Sequence, residues 1–156
     1  MPTPQVGERA PDFVLPEASN EMVRLSEEVR HGPVVIAFYP TDWGMICTME
    51  MKRFMEMLDE LHRLGVRLLA ISVNTVTSHR MWKMHLGIEF PLLSDPDGDV
   101  VRTYDLLLGE TELMRGRSTR AVLIVDRDMI VRYLWKPPHP HLHPDYDGIL
   151  QALKAL

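Results

Sequence analysis

The chain has 156 residues, of which 46% are hydrophobic and 25% charged, and a formal net charge of −5. That length suits a single domain spanning residues 1–156 with its own apolar core, and the composition is that of a globular protein rather than a fibrous or disordered one. The negative balance argues against a general nucleic-acid or anionic-membrane surface, and no apolar run approaches the length of a bilayer-spanning helix. Met1 to Gln5 lacks the basic start and apolar stretch of a secretory signal, so a cytoplasmic location is expected.

Two short apolar pieces, Gly7 to Pro16 and Met22 to Leu25, flank Glu17-Ala18-Ser19-Asn20-Glu21 and read as a small hairpin. Ser26-Glu27-Glu28-Val29 reads as a capped single turn of helix. Pro33 to Tyr39 is a continuous apolar, β-branched run between Gly32 and Pro40, the pattern of a buried central strand. From Thr48 to Leu64 the residues Met51, Phe54, Met55, Leu58, Leu61 and Leu64 recur at helical spacing, and Gly65 supplies the stop. Val66 to Val73 predicts a second buried strand, and Ser78 to Leu86 a second helix ending near Gly87. Strand, helix, strand, helix points to a parallel α/β arrangement. Phe90-Pro91-Leu92-Leu93 then leads into the turn Asp95-Pro96-Asp97-Gly98 and a short helix over Val100 to Tyr104. Ala121 to Val125 and Ile130 to Trp135 predict a hairpin, and Tyr146 to Leu156 a terminal amphipathic helix.

Cys47 is the only cysteine, so the chain has no internal disulfide, and any disulfide it makes is with another molecule. It lies in Phe38-Tyr39-Pro40-Thr41-Asp42-Trp43-Gly44-Met45-Ile46-Cys47-Thr48-Met49-Glu50, where a strand-like run gives way to a helix-like one. Unpaired N–H groups and the positive end of the macrodipole at a helix start favour thiolate over thiol, and the thiolate is the nucleophile. A lone cysteine is otherwise most often a small buried hydrophobe.

Five segments in order carry a family resemblance. They are Gly7 to Leu15, Phe38 to Glu50, Ser72-Val73-Asn74-Thr75-Val76-Thr77-Ser78-His79 with Trp82, Phe90 to Asp95, and Arg120 to Asp126. Together they resemble a peroxiredoxin of the alkyl hydroperoxide reductase/thiol-specific antioxidant type, nearest to the single-cysteine bacterioferritin-comigratory kind. The resemblance implies a thioredoxin-like α/β fold, with a central mixed β-sheet flanked by helices and an N-terminal β-hairpin. It implies a thiol peroxidase in which Cys47 attacks a peroxide, becomes sulfenic acid and is recycled by an external thiol, with no cofactor or metal. Arg120 is the carried-over cation, with Arg115 and Arg117 as neighbouring alternatives. Glu50 stands one helical turn after Cys47, placed to orient Arg120 or simply to favour a helix start. Pro40 would shield the thiolate and fix the loop, and Trp43 and Gly44 would border the substrate pocket.

Two residues depart from the family pattern. In the motif Pro-x-x-x-Thr-x-x-Cys the threonine position holds Gly44, and Asn74 stands for the usual aspartate. Loss of one preorganised donor costs on the order of 3 kcal/mol, roughly a hundredfold in rate, so a slow enzyme acting as redox sensor or binding protein is the competing reading. The histidines of Pro137-Pro138-His139-Pro140-His141-Leu142-His143-Pro144 alternate, but polyproline II geometry would spread them around its axis, against a metal site. His79 and His85 read as structural. Met45, Met81 and Trp82 would suit an apolar homodimer interface beside the active site.

Overall fold

The computed structural model describes residues 2–110, 112, 114–139 and 141–156. Met1 of the N-terminal stretch and Pro140 of the histidine segment therefore lie outside the described residues.

The core of the fold is a five-stranded sheet of β3 (Val34–Phe38), β4 (Arg67–Ser72), β5 (Leu92–Ser94), β6 (Ala121–Val125) and β7 (Val131–Trp135), in the spatial order β5-β4-β3-β6-β7. The β3, β4 and β5 strands run parallel, while β6 and β7 pair antiparallel, which makes the sheet mixed as expected. A separate antiparallel hairpin, β1 (Val14–Pro16) and β2 (Met22–Arg24), sits at the N-terminus.

The period of two in β3 explains why every residue of that strand is buried. Val35, Ala37 and Tyr39 point into one core with Met51, Phe54, Leu58 and Leu61 of α2 (Met45–Arg63), Trp82 of α3 (Val76–Leu86), and Ile149 and Leu153 of α5 (Tyr146–Lys154). Val34, Ile36 and Phe38 point into a second core with Leu15, Leu25 of α1 (Leu25–Glu28), Val29, and Val101 of α4 (Asp99–Thr103). A strand covered on both faces has no solvent side, and its sequence reads as an unbroken apolar run for that reason.

Three local expectations need correction. The α2 helix starts at Met45 rather than Thr48: its first turn buries only Cys47 and exposes Met45, so the apolar period becomes visible one turn late. Ser26 does not cap α1, which begins at Leu25. Instead the Ser26 amide donates to Asp12 Oδ1 at 2.9 Å, so the cap comes from fourteen residues upstream. Partial burial works to raise the Asp12 carboxyl, but its bonds from Ser26 outweigh that and hold it below the usual carboxylate range. Third, Trp82 is 0% exposed in the first core, against the tilted ring of Tyr39, and so is not a surface residue.

The end of α2 is closed by a Schellman motif: the Gly65 amide donates to His62 O at 3.0 Å and the Val66 amide to Leu61 O at 2.9 Å, with Gly65 at φ 73°. Gly32, at φ 148°, packs against this turn so closely that a Cβ there would lie 2.2 Å from the Gly65 carbonyl oxygen. Gly32→Ala should therefore destabilise the protein by about 3 kcal/mol, from backbone overlap plus a left-handed φ. A urea midpoint equal to that of the parent would refute this.

Candidate active site

The Cys47 side of the site hangs from the end of β3. The Tyr39 amide still bonds to Ile71 O of β4 at 3.0 Å, and buried Pro40 then breaks the ladder. The chain crosses Thr41, Asp42, Trp43 and Gly44 and enters α2. Gly44, at φ −67° and ψ 143°, is the N-cap; it has no capping side chain, and its carbonyl takes the first helical bond from Thr48 at 2.8 Å. Cys47 is thus the third residue of α2, inside the first turn, and is 2% exposed. Trp43 holds φ at 69°, unusual for a bulky residue. Its half-exposed ring lies 5.4 Å from that of His85 on α3.

Arg120 arrives from the opposite side of β3, on the segment that feeds β6. That segment is fixed by bonds from Leu108 N–H to Arg117 O at 2.8 Å and from Thr119 N–H to Leu106 O at 2.7 Å. The Arg120 guanidinium donates through Nη1 to Glu50 Oε1 at 2.5 Å and also to the Cys47 sulfur. Glu50 is 0% exposed and Arg120 2%, so this is a fully buried ion pair. Taking one partner from such a pair costs about 3–5 kcal/mol, because the other charge is stranded. The second carboxylate oxygen, Glu50 Oε2, has no hydrogen-bond partner among the described residues. The fold thus brings Cys47, Glu50 and Arg120 together, and it is Arg120 rather than Arg115 that reaches them. Arg115 is exposed, while Arg117 Nη1 donates to Thr41 Oγ1 at 3.0 Å.

The electrostatics differ from the expectation of a lowered thiol. Burial pushes the Cys47 thiol above its ordinary value; Arg120 and the Thr41 N–H pull toward thiolate, and the Glu50 charge pushes further up. Burial likewise raises the Glu50 carboxyl to about 7 in spite of Arg120. The Arg120 guanidinium, for its part, is raised: burial lowers it, but Glu50 and Cys47 more than offset that. The upward direction for Glu50 follows from its complete enclosure with only one oxygen bonded. Thiol, carboxyl and guanidinium therefore titrate as one interacting unit.

Asp42, to which the sequence reading gives no role, is the anchor of the loop. Its carboxylate accepts from Tyr39 Oη at 2.7 Å and Ser78 Oγ at 2.9 Å, and lies 2.7 Å from His79 Nδ1. His79 Nε2 faces Leu93 O at 3.0 Å, so both ring nitrogens meet acceptors, in keeping with a structural histidine. His85 is exposed against Trp43. The His139 and His141 rings are 5.8 Å apart, while His143 Nδ1 lies 3.1 Å from Tyr146 Oη. No cluster of three or more metal-ligating side chains occurs among the described residues. Met45, Met49, Met81 and Met84 are exposed.

The family model described as AhpC/TSA matches residues 6–134. A peroxiredoxin 2 of Thermoplasma acidophilum is 35% identical over 97% of this chain and 75% of its own length. A putative peroxiredoxin bcp of Coxiella burnetii is 29% identical over 84% of this chain and 87% of its own. Among solved structures, the peroxidoxin BcpB of Mycobacterium tuberculosis superposes with a TM-score of 0.88 at 26% identity, covering 98% of both chains. With the family model matched over most of its length and a relative 35% identical, the chain belongs to the AhpC/TSA family, the peroxiredoxins.

Proposed function

We propose that this protein is a thiol peroxidase acting on hydrogen peroxide or organic hydroperoxides, with Cys47 as its sole redox residue. The observation that carries the reading is the buried Arg120–Glu50 pair aimed at the only thiol, since burying two charges beside one cysteine has no evident structural return. The Cys47 thiolate attacks one peroxide oxygen. An S–O bond forms as the O–O bond breaks, and the departing alkoxide or hydroxide takes a proton and leaves as alcohol or water. Arg120 holds the thiolate and the charge passing between the oxygens, and Glu50 orients Arg120. Pro40 shields the sulfur, with Trp43 and Gly44 at the pocket border. The sulfenic acid is then attacked by an external thiol, which releases water and leaves a mixed disulfide for a second thiol to resolve.

This is the 1-Cys scheme, because the described chain offers no second thiol. The reductant is a small thiol or a thioredoxin-like protein. A single domain working in the cytoplasm fits the reading, and among the described residues no helix is long and apolar enough to cross a membrane. Exposed Met45 and Met81, with Met49 and Met84, are the residues on which a homodimer would form. A degenerate sensor or binding protein is disfavoured by the retained Arg120–Glu50 pair.

Reduced protein mixed with hydrogen peroxide at neutral pH should gain one oxygen on Cys47 orders of magnitude faster than a free thiol reacts. A rate equal to that of a free thiol would sink the peroxidase reading. Cys47→Ser should abolish the oxygen gain, and Arg120→Lys, which keeps the charge but loses the fork, should slow it about a hundredfold.

Glu50 carries a pH signature. Its carboxyl is raised from 4.5 to about 7 in the fold, so the unfolded chain releases that proton first, and stability falls as pH rises between those values. The charged and titratable groups around it are Arg120 and Cys47, with Tyr146 and Arg53 on the outer side. Glu50→Gln should flatten the fall in melting temperature across that window, and an unchanged slope would assign it to other groups.

A further inference from the structure

The two departures from the family motif, Gly44 and Asn74, meet at one residue. A Cβ on Gly44 would lie 3.3 Å from Thr41 Cγ2 and 3.5 Å from Cys47 Sγ, so the Thr41 methyl occupies the edge of the space that a side chain at position 44 would enter. The Thr41 hydroxyl is fully engaged. It receives Arg117 Nη1 at 3.0 Å and Asn74 Nδ2 at 3.4 Å, and donates to Asp42 O at 3.1 Å. An aspartate at position 74 has no N–H to give Thr41, whereas Asn74 does so while its Oδ1 accepts from the Asp42 amide at 2.9 Å and Ser72 Oγ at 2.7 Å. The Thr41 N–H, in turn, faces the Cys47 sulfur.

We infer that Thr41, clamped by Arg117 and Asn74, replaces the missing threonine hydroxyl at position 44 by presenting its backbone N–H to the Cys47 sulfur, which makes Arg117 a positioning residue for the peroxide reaction. Three fixed contacts on one hydroxyl tie Thr41 to Arg117, to Asn74 and to the Asp42 carbonyl and so fix its backbone, where a free loop residue would spend its amide on solvent. Gly44 leaves the room that this arrangement needs, so Gly44, Asn74, Thr41 and Arg117 form one unit rather than a lost motif with unrelated neighbours. The inference rests on Cys47 being the attacking thiol.

The test uses Thr41→Val, which keeps the shape and removes Oγ1, Arg117→Met, their double variant, Arg117→Lys and Gly44→Thr. For each, three quantities are measured: the hydrogen peroxide rate at Cys47, the pH profile of Cys47 alkylation by iodoacetamide, and the melting temperature. Thr41→Val and Arg117→Met should each lower the peroxide rate about tenfold and move the alkylation midpoint upward, as expected for weakening one hydrogen bond to a charged sulfur. The double variant should be no slower than the worse single one, because both break the same clamp. Arg117→Lys should recover most of the rate, and Gly44→Thr, crowded against the Thr41 methyl, should give no gain. The proposal is overturned if the Thr41 and Arg117 variants stay within twofold of the parent in rate with an unmoved alkylation profile, or if Gly44→Thr alone speeds the reaction. A loss that tracks melting temperature with an unmoved profile also overturns it. Should the parent prove no faster than a free thiol, the function fails while the alkylation profiles still decide whether Thr41 and Arg117 act on the sulfur.

Discussion

Burying a guanidinium and a carboxylate together is unfavourable unless both are held rigidly, and the fold around Arg120 and Glu50 is organised to hold them. Glu50 is set by a nineteen-residue helix whose apolar face is locked on the sheet, and Arg120 by the residues just before β6. Neither can swing away to water without breaking one of the two layers. The antiparallel β3–β6 pairing brings the guanidinium to the end of β3 where the Cys47 loop begins, opposite Ala121 beside Phe38. A parallel neighbour at that position would deliver its other end.

The loop itself is constrained by polar rather than apolar contacts. Asp42 ties it to β3 through Tyr39 and to α3 through His79 and Ser78, and its amide ties it to Asn74 at the end of β4. Such a network is specific because each member would be costly if left unpaired in a buried setting. Trp43 at a positive φ is the visible cost of turning from that network into the helix within two residues.

Most of the scaffold is legible in the chain. A strand buried on both faces announces itself as an apolar run, as Pro33 to Tyr39 does, and the helical spacing from Met51 to Leu61 marks the face that meets the sheet. Helix starts are less visible. The first turn of α2 buries only Cys47 and carries no apolar period, and the cap of α1 comes from Asp12, which no local pattern connects to Ser26. Trp82 reads as surface from its neighbours Met81 and Met84, whereas the helix turns it inward onto Tyr39. In the site, Cys47, Glu50 and Arg120 follow from spacing and resemblance. The direction of the Cys47 shift does not, since helix position and a nearby cation are visible in sequence and the depth of burial is not. Thr41 and Asp42 are silent in the sequence because most of their partners lie 32 to 76 residues away. The sole hint was that Gly44 and Asn74 break the pattern together.

The 2% exposure of Cys47 divides its visitors by size. A peroxide needs room for only its two oxygen atoms at the sulfur and an approach along one line. A disulfide-exchanging partner must bring its own sulfur into line with that of Cys47, with a whole polypeptide behind it if it is a protein, and a closed first turn of α2 excludes that bulk. The return half of the cycle therefore carries a free-energy cost of local opening that the forward half does not. Tightening this turn would leave the protein quick to be oxidised and slow to be restored, so the helix start is a place where added rigidity works against turnover.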